Sequence, residues 1–197
     1  FDKLEADGDL ENTLIVISSD NGPTNENHHS YKFFNSSGSL KGYKRDLYEG
    51  GVRVPMIAFW KGKVREGKTT NFQGTFYDIM PTFADVAGVK APEGIDGISI
   101  LPELLGKKQE GHPFLYWEIQ EGPSVKGFKQ ATRMGKWKAV RYKNNDHTEL
   151  YDLEADLYET NDISAAHPDI VAKAEEILKR ESVKDEHFPF SGGVFKN

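Results

Sequence analysis

At 197 residues the chain is long enough for one domain or two small ones, and 37% hydrophobic with 28% charged residues leaves enough apolar material for a core. A net charge of −6 at pH 7 excludes a general nucleic-acid surface, which needs a basic face, but not a site with local positive charge. Without cysteine there is neither a disulfide framework nor a thiolate zinc site, and no apolar run is long enough to cross a membrane.

The first element is Thr13-Leu14-Ile15-Val16-Ile17, β-branched and apolar without alternation, which predicts a strand buried on both faces of a parallel sheet. Ligands gather at the carboxyl ends of such strands, and Ser18-Ser19-Asp20-Asn21-Gly22 stands there. Asp20 and Asn21 offer one charged and one neutral oxygen, hard ligands suited to calcium or magnesium. The same tripeptide makes ordinary turns by bonding its own backbone, so both readings stand at this point. His28 and His29 follow in the polar segment Pro23 to Asn35, either inert or placed at the rim of a site. Asn35-Ser36-Ser37 is a glycosylation sequon, which matters only in a eukaryotic secretory setting.

Next comes Lys41-Gly42-Tyr43-Lys44-Arg45-Asp46-Leu47-Tyr48-Glu49-Gly50-Gly51-Val52-Arg53-Val54-Pro55. Its glycines permit close backbone approach, and Lys41, Lys44, Arg45 and Arg53 supply positive charge, a mixture that suits an oxyanion ligand or a solvated basic loop. Met56 to Trp60 predicts a second strand. A helix is expected near Asp78 to Val86, with Pro81 tolerable only in its first turn. Gly106 to Gly111 reads as a linker.

Beyond it, strands are expected at Phe114 to Ile119, Phe128 to Arg133 and Lys136 to Tyr142, with a tight turn at Met134-Gly135. A final helix over Pro168 to Ser182 carries Ile170, Val171, Ala174, Ile177 and Leu178 on one face. The result is an antiparallel sheet with a helix packed on it. Phe114, Tyr116, Trp117, Phe128 and Trp137 are read as core at strand spacing, and His112, His147, His167 and His187 as surface or capping residues. Asp152 to Asp156 lacks the glycine and terminal Glu of a calcium loop and reads as a turn.

A strand ending in Ser-Asp-Asn-Gly, followed by a loop Gly-x-Lys-x-x-x-x-Glu-Gly-Gly-x-Arg-Val-Pro from Gly42 to Pro55, resembles the formylglycine-dependent sulfatases, the arylsulfatase family of the alkaline-phosphatase-like superfamily. Further blocks resemble the same family in its order: Asp78-Ile79-Met80-Pro81-Thr82, then Asp96-Gly97-Ile98-Ser99 with Leu101 to Leu105, then Glu149-Leu150-Tyr151-Asp152-Leu153 with Glu159-Thr160-Asn161-Asp162. Essentially the whole chain is covered.

The resemblance implies an α/β fold: the C-terminal part of an alkaline-phosphatase-like α/β sandwich over residues 1–106, and a small antiparallel-sheet-and-helix subdomain over residues 107–197. It implies sulfate ester hydrolysis, with carbohydrate sulfate suggested by the spacing from Asn21 through Phe33-Phe34-Asn35 to Lys44. Asp20 and Asn21 would be ligands of calcium, with magnesium the alternative, Lys44 the active-site lysine, and His28 and His29 substrate contacts. Glu49 and Arg53 are read as structural, an ion pair or backbone hydrogen bonds holding the loop under the lysine.

The family's nucleophile is a formylglycine made from a Cys/Ser-x-Pro-x-Arg motif, yet this chain has no Cys and no Ser placed before a Pro-x-Arg. The expectation is therefore that the nucleophile lies upstream, in the missing N-terminal part of the same polypeptide, without which this chain is inactive. The family further implies an extracytoplasmic location, periplasmic or secreted, lysosomal in an animal. Two alternatives are a phosphodiesterase or phosphonate hydrolase of the same superfamily, and a non-catalytic module that binds sulfated glycan.

Overall fold

The computed structural model describes residues 1–26, 30–121, 127–142 and 147–183. In chain order the elements are α1 (Asp2–Asp7), β1 (Ile15–Ser18), α2 (Tyr31–Phe34), α3 (Glu49–Val52), β2 (Met56–Phe59), α4 (Ile79–Val86), α5 (Leu101–Leu104), β3 (Leu115–Gln120), β4 (Phe128–Met134), β5 (Trp137–Tyr142), β6 (Thr148–Asp152) and α6 (Pro168–Arg180). They divide into two compact units, Phe1–Ser18 with Pro55–His112, and Ser19–Val54 with Pro113–Asn197.

In the first unit β1 pairs antiparallel with β2, Ile15 opposite Phe59 and Ser18 opposite Met56. This corrects the expectation of a parallel, doubly buried strand. Among the described residues β2 is the only partner of β1, and Ile17, Met56 and Ile57 remain about half exposed. Nearby, Trp60 is buried and its indole N–H donates to the Glu11 carbonyl at 3.0 Å.

The helix near Asp78 is present, and Pro81 falls in the first turn of α4, where its missing N–H costs no helical bond. Asp78 itself is a fully buried hub. Its carboxylate accepts from the backbone N–H of Thr75 and of Ile98 and lies 2.8 Å from His112 Nε2. One turn on, buried Thr82 donates its hydroxyl to the Asp78 carbonyl and accepts the Ile100 N–H at 2.9 Å. The Asp-x-x-Pro-Thr and Asp-Gly-Ile-Ser blocks are thus stitched together by buried polar groups, each satisfied. His112 is correspondingly a buried structural histidine, not a surface one.

The second unit carries the four-stranded antiparallel meander β3-β4-β5-β6. β4 and β5 are joined by a two-residue hairpin, Met134 opposite Trp137, opened by Gly135 at φ 59. Strand alternation gives the sheet two distinct faces. On one, Ala139 and Leu150 meet Ala174, Ile170 and Val171 of α6, as the helical spacing predicts. On the other, Ala131, Val140, Trp117, Ile119 and Tyr142 pack on Leu47, Tyr48 and Val52 of the loop between residues 41 and 53. The sheet is covered twice, by a helix and by the glycine-rich basic loop.

Asp152 to Asp156 is a turn, with the Asp152 carboxylate accepting the N–H of Glu154 and Ala155. Among the described residues no helix is long and apolar enough to cross a membrane.

Candidate functional site

All of the site described here belongs to the second unit. Gly22 donates its N–H to the Gly51 carbonyl at 2.9 Å, and Lys44 donates its N–H to the Pro23 carbonyl at 2.8 Å. These two backbone bonds bring the Asp20-Asn21 segment and the Lys44 loop together. They require bare backbone: a Cβ on Gly22 would stand 2.8 Å from the Gly51 Cα, and one on Gly51 would stand 2.7 Å from the Tyr43 carbonyl oxygen. The glycines are therefore explained by close approach of chain to chain.

Asn21 donates its Nδ2 to the Gly22 carbonyl at 2.8 Å, a bond that does not use its Oδ1, and Asp20 is exposed beside it. Two hard oxygens of this kind fit a calcium or magnesium ion but make up only part of its six to eight ligands. Among the described residues no group of three or more His, Cys, Asp and Glu gathers to hold a metal. Lys44 Nζ lies 3.5 Å from Glu26 Oε2, and the neighbouring Arg45 Nη2 lies 2.7 Å from Glu26 Oε1. A cavity of about 230 Å³ opens here, lined in part by Thr24, Glu26, Tyr43, Lys44, Arg45 and Lys129. His28 and His29 lie outside the described residues.

The loop that carries Lys44 is held from beneath by two sets of ionisable side chains. In the first, Glu49, fully buried, receives Lys138 Nζ at 2.9 Å and Arg53 Nε at 2.8 Å, with Arg133 Nη1 at 3.7 Å. Burial opposes its charge, but the Lys138 ammonium and the two guanidiniums outweigh burial and hold the Glu49 carboxyl down to about 2. The Glu49 backbone N–H donates to Glu159 Oε2 at 2.7 Å, while Glu159 Oε1 is buried with no hydrogen-bond partner among the described residues. For Glu159 burial prevails over Lys138 and that N–H, and its carboxyl is lifted to about 7. Glu159 also sits at φ 53, a left-handed backbone uncommon for its residue type.

In the second set, Lys41 donates to the Tyr151 hydroxyl at 2.9 Å and lies 3.9 Å above the Tyr48 ring. Tyr48 and Tyr151 both donate to Glu149 Oε2, at 2.6 and 2.7 Å. Burial and the Glu149 carboxylate push both phenols well above their ordinary range, so they remain donors.

Of the two structural roles expected for Glu49 and Arg53, the ion pair is present. Sequence reasoning did not assign roles to Lys138, Glu149, Tyr151 and Glu159. The last three were visible as sequence blocks, and Lys138 as a charge within an apolar strand.

A family model described as N-sulphoglucosamine sulphohydrolase, C-terminal, matches residues 41–184. The chain is 27% identical to the uncharacterized sulfatase YdeN of Escherichia coli (strain K12), over 97% of this chain and 39% of that protein. It is 30% identical to an N-acetylgalactosamine-6-O-sulfatase of Bacteroides thetaiotaomicron, over 88% of this chain and 37% of that one. Among solved structures, one in complex with its substrate D-glucosamine-2-N,6-O-disulfate matches with a TM-score of 0.72 at 29% identity, covering 91% of this chain and 36% of that one. The chain spans about two fifths of the length of these relatives.

Proposed function

Because this chain belongs to the family of N-sulphoglucosamine sulphohydrolase C-terminal sequences, within the sulfatases, we propose that it is the C-terminal portion of an enzyme that hydrolyses sulfate esters, with carbohydrate sulfate as the substrate class. Relatives named as sulfatases of amino sugars support the substrate class. The observation that carries the site is the pair of backbone bonds, Gly22 to Gly51 and Lys44 to Pro23, that sets the Asp20-Asn21 segment against the lysine loop.

In this reading the Lys44 ammonium binds a sulfate oxygen and neutralises charge that develops on the ester oxygen as the S–O bond breaks. Asp20 and Asn21 would hold calcium, which when bound stabilises the sulfate oxygens as a Lewis acid. The nucleophile, a formylglycine, and the remaining metal ligands lie upstream, so residues 1–197 alone are inactive. Residues 1–106 then belong to the catalytic α/β domain and 107–197 form its C-terminal subdomain. Lys138, Glu159 and Glu149 keep the Lys44 loop in one position. His28 and His29 contact the substrate, and the enzyme works outside the cytoplasm.

The test is turnover by the full-length enzyme of an aryl sulfate against the matching aryl phosphodiester, with and without a chelator. Sulfate release that falls on chelation and returns with calcium is expected. Preference for the phosphodiester would transfer the site to phosphoryl chemistry, and no turnover of either would leave a glycan-binding module.

A further inference from the structure

Resting on the sulfatase reading, we propose that the cavity beside Lys44 is a subsite for one sugar unit that carries the scissile sulfate and no second negative charge, with Glu26 and Glu121 accepting its hydroxyls. At about 230 Å³ the cavity is below the roughly 300–1,000 Å³ of pockets for drug-sized ligands, a size that suits one ring rather than a length of chain. Tyr43, stacked on Tyr31 with centroids 4.8 Å apart, supplies a flat apolar wall for such a ring.

The charges lining the cavity balance: Glu26, Asp46 and Glu121 stand against Lys44, Arg45 and Lys129. Arg45 bridges the two glutamates, at 2.7 Å to Glu26 and 3.9 Å to Glu121. Lys129, largely buried, reaches Glu121 at 2.8 Å and Asp46 at 3.4 Å, and donates to the Arg45 carbonyl at 3.1 Å. Arg45 adopts φ 75, a left-handed conformation that a residue other than glycine keeps only where neighbours enforce it. The Lys129 bond to its carbonyl is such an enforcement, and the guanidinium is held by its own contacts to the two carboxylates.

The consequence is a division of labour. When Lys44 turns to a sulfate oxygen it gives up only the looser contact to Glu26, 3.5 Å, while Glu26 keeps Arg45. Both glutamates stay fixed by Arg45 and Lys129, and their remaining lone pairs can accept from sugar O–H donors, bonds of the stronger, charge-assisted kind. Arg45 and Lys129 are committed to carboxylates, so neither is left to neutralise a second sulfate or a uronate. Such a group would meet Glu26 or Glu121 instead, and like charges brought together oppose binding.

The experiment follows sulfate release by the full-length enzyme from an aryl sulfate, from a panel of singly O-sulfated hexoses and N-acetylhexosamines, and from N,O-disulfated hexosamine bearing the same O-sulfate. We expect kcat/KM at least tenfold higher for the best singly sulfated sugar than for its disulfated counterpart. The double variant Glu26→Gln, Glu121→Gln is expected to shrink that ratio several-fold by favouring the disulfated sugar. Equal or faster turnover of the disulfated sugar by the unaltered enzyme, or turnover of the aryl sulfate but none of the sugars, overturns the subsite and leaves the sulfatase reading intact. A ratio unchanged in the double variant removes the two glutamates from recognition and overturns it likewise. No sulfate release from any substrate overturns the sulfatase reading itself, and the subsite with it.

Discussion

Lys44 and Arg53 share one loop, yet their surroundings give them different tasks. Lys44 ends in a partly exposed ammonium at the cavity, with a carboxylate 3.5 Å away. Arg53 is bound through its Nε to the buried Glu49 at 2.8 Å. In the full-length enzyme, Lys44→Ala should lower kcat/KM for a sulfate ester by about 10²- to 10³-fold, the scale of one lost transition-state donor, and leave the melting temperature in place. Arg53→Ala should lower both, because Glu49 then relies on Lys138 and on Arg133 at 3.7 Å. Initial rates and thermal melts on the same preparations decide the matter. A dead Arg53 variant with normal melting would move that residue into the site, and a fully active Lys44 variant would remove the lysine from it.

At the scale of elements, the loop between residues 41 and 53 is a cover for the sheet as much as a carrier of Lys44, and the cover depends on the protonation of Glu159. That carboxyl titrates near 7 in the folded chain, against about 4.3 for an unperturbed glutamate. The folded state therefore keeps a proton that the unfolded chain loses earlier. Its contribution to stability is complete below about pH 4.3 and declines as pH rises to about 7. Glu49, held to about 2, has the opposite sign, its contribution present above about pH 4.3 and lost as pH falls toward 2. Glu159→Gln keeps an acceptor for the Glu49 N–H and cannot ionise. Its melting temperature relative to the unaltered chain should rise by a few degrees between about pH 5 and about pH 8. Calorimetry at both values reads it, and a difference independent of pH would deny that Glu159 titrates in that window.

The elements themselves are largely legible in the sequence. Alternation marks β3, β4 and β5, helical spacing marks α6, and Gly135 marks the hairpin between β4 and β5. What alternation cannot say is whether a polar face is solvated. Lys129, Arg133 and Lys138 share one face, and Asp46 and Glu49, more than 80 residues away in sequence, pair with them. The environment of β1 was misread because an apolar run reports composition and not the number of neighbours. His112 escaped for the same reason as the lysines, its partner Asp78 being distant in sequence. Within the candidate site, the residue types at Asp20, Asn21 and Lys44 were legible, whereas the Glu26, Arg45, Glu121 and Lys129 pairings exist only once the chain is folded.

For the molecule as a whole, the segment Ser19–Val54 leaves after β1 and returns as β2, yet packs with residues far beyond both. The C-terminal sheet is therefore continuous in sequence but incomplete in substance. Residues 107–197 alone would keep α6 over Ala139 and Leu150 while losing Leu47, Tyr48 and Val52 from the face formed by Trp117, Ala131 and Val140. They would also leave Lys138 without Glu49. Removing one partner of a buried ion pair costs about 3–5 kcal/mol, a large share of the roughly 5–15 kcal/mol that keeps a domain folded. A polypeptide of residues 107–197 should consequently show no cooperative thermal transition by circular dichroism. The same stretch, joined through a short glycine-serine linker to residues 19–54, should melt as one unit, with Trp117 fluorescence following the same curve. A cooperative melt of 107–197 by itself would mean that the α6 face suffices and that the Lys44 loop docks on a sheet already formed. In that case the loop would derive its position from the sheet without stabilising it in return, and the coupling argued for Glu49 and Glu159 would run in one direction only.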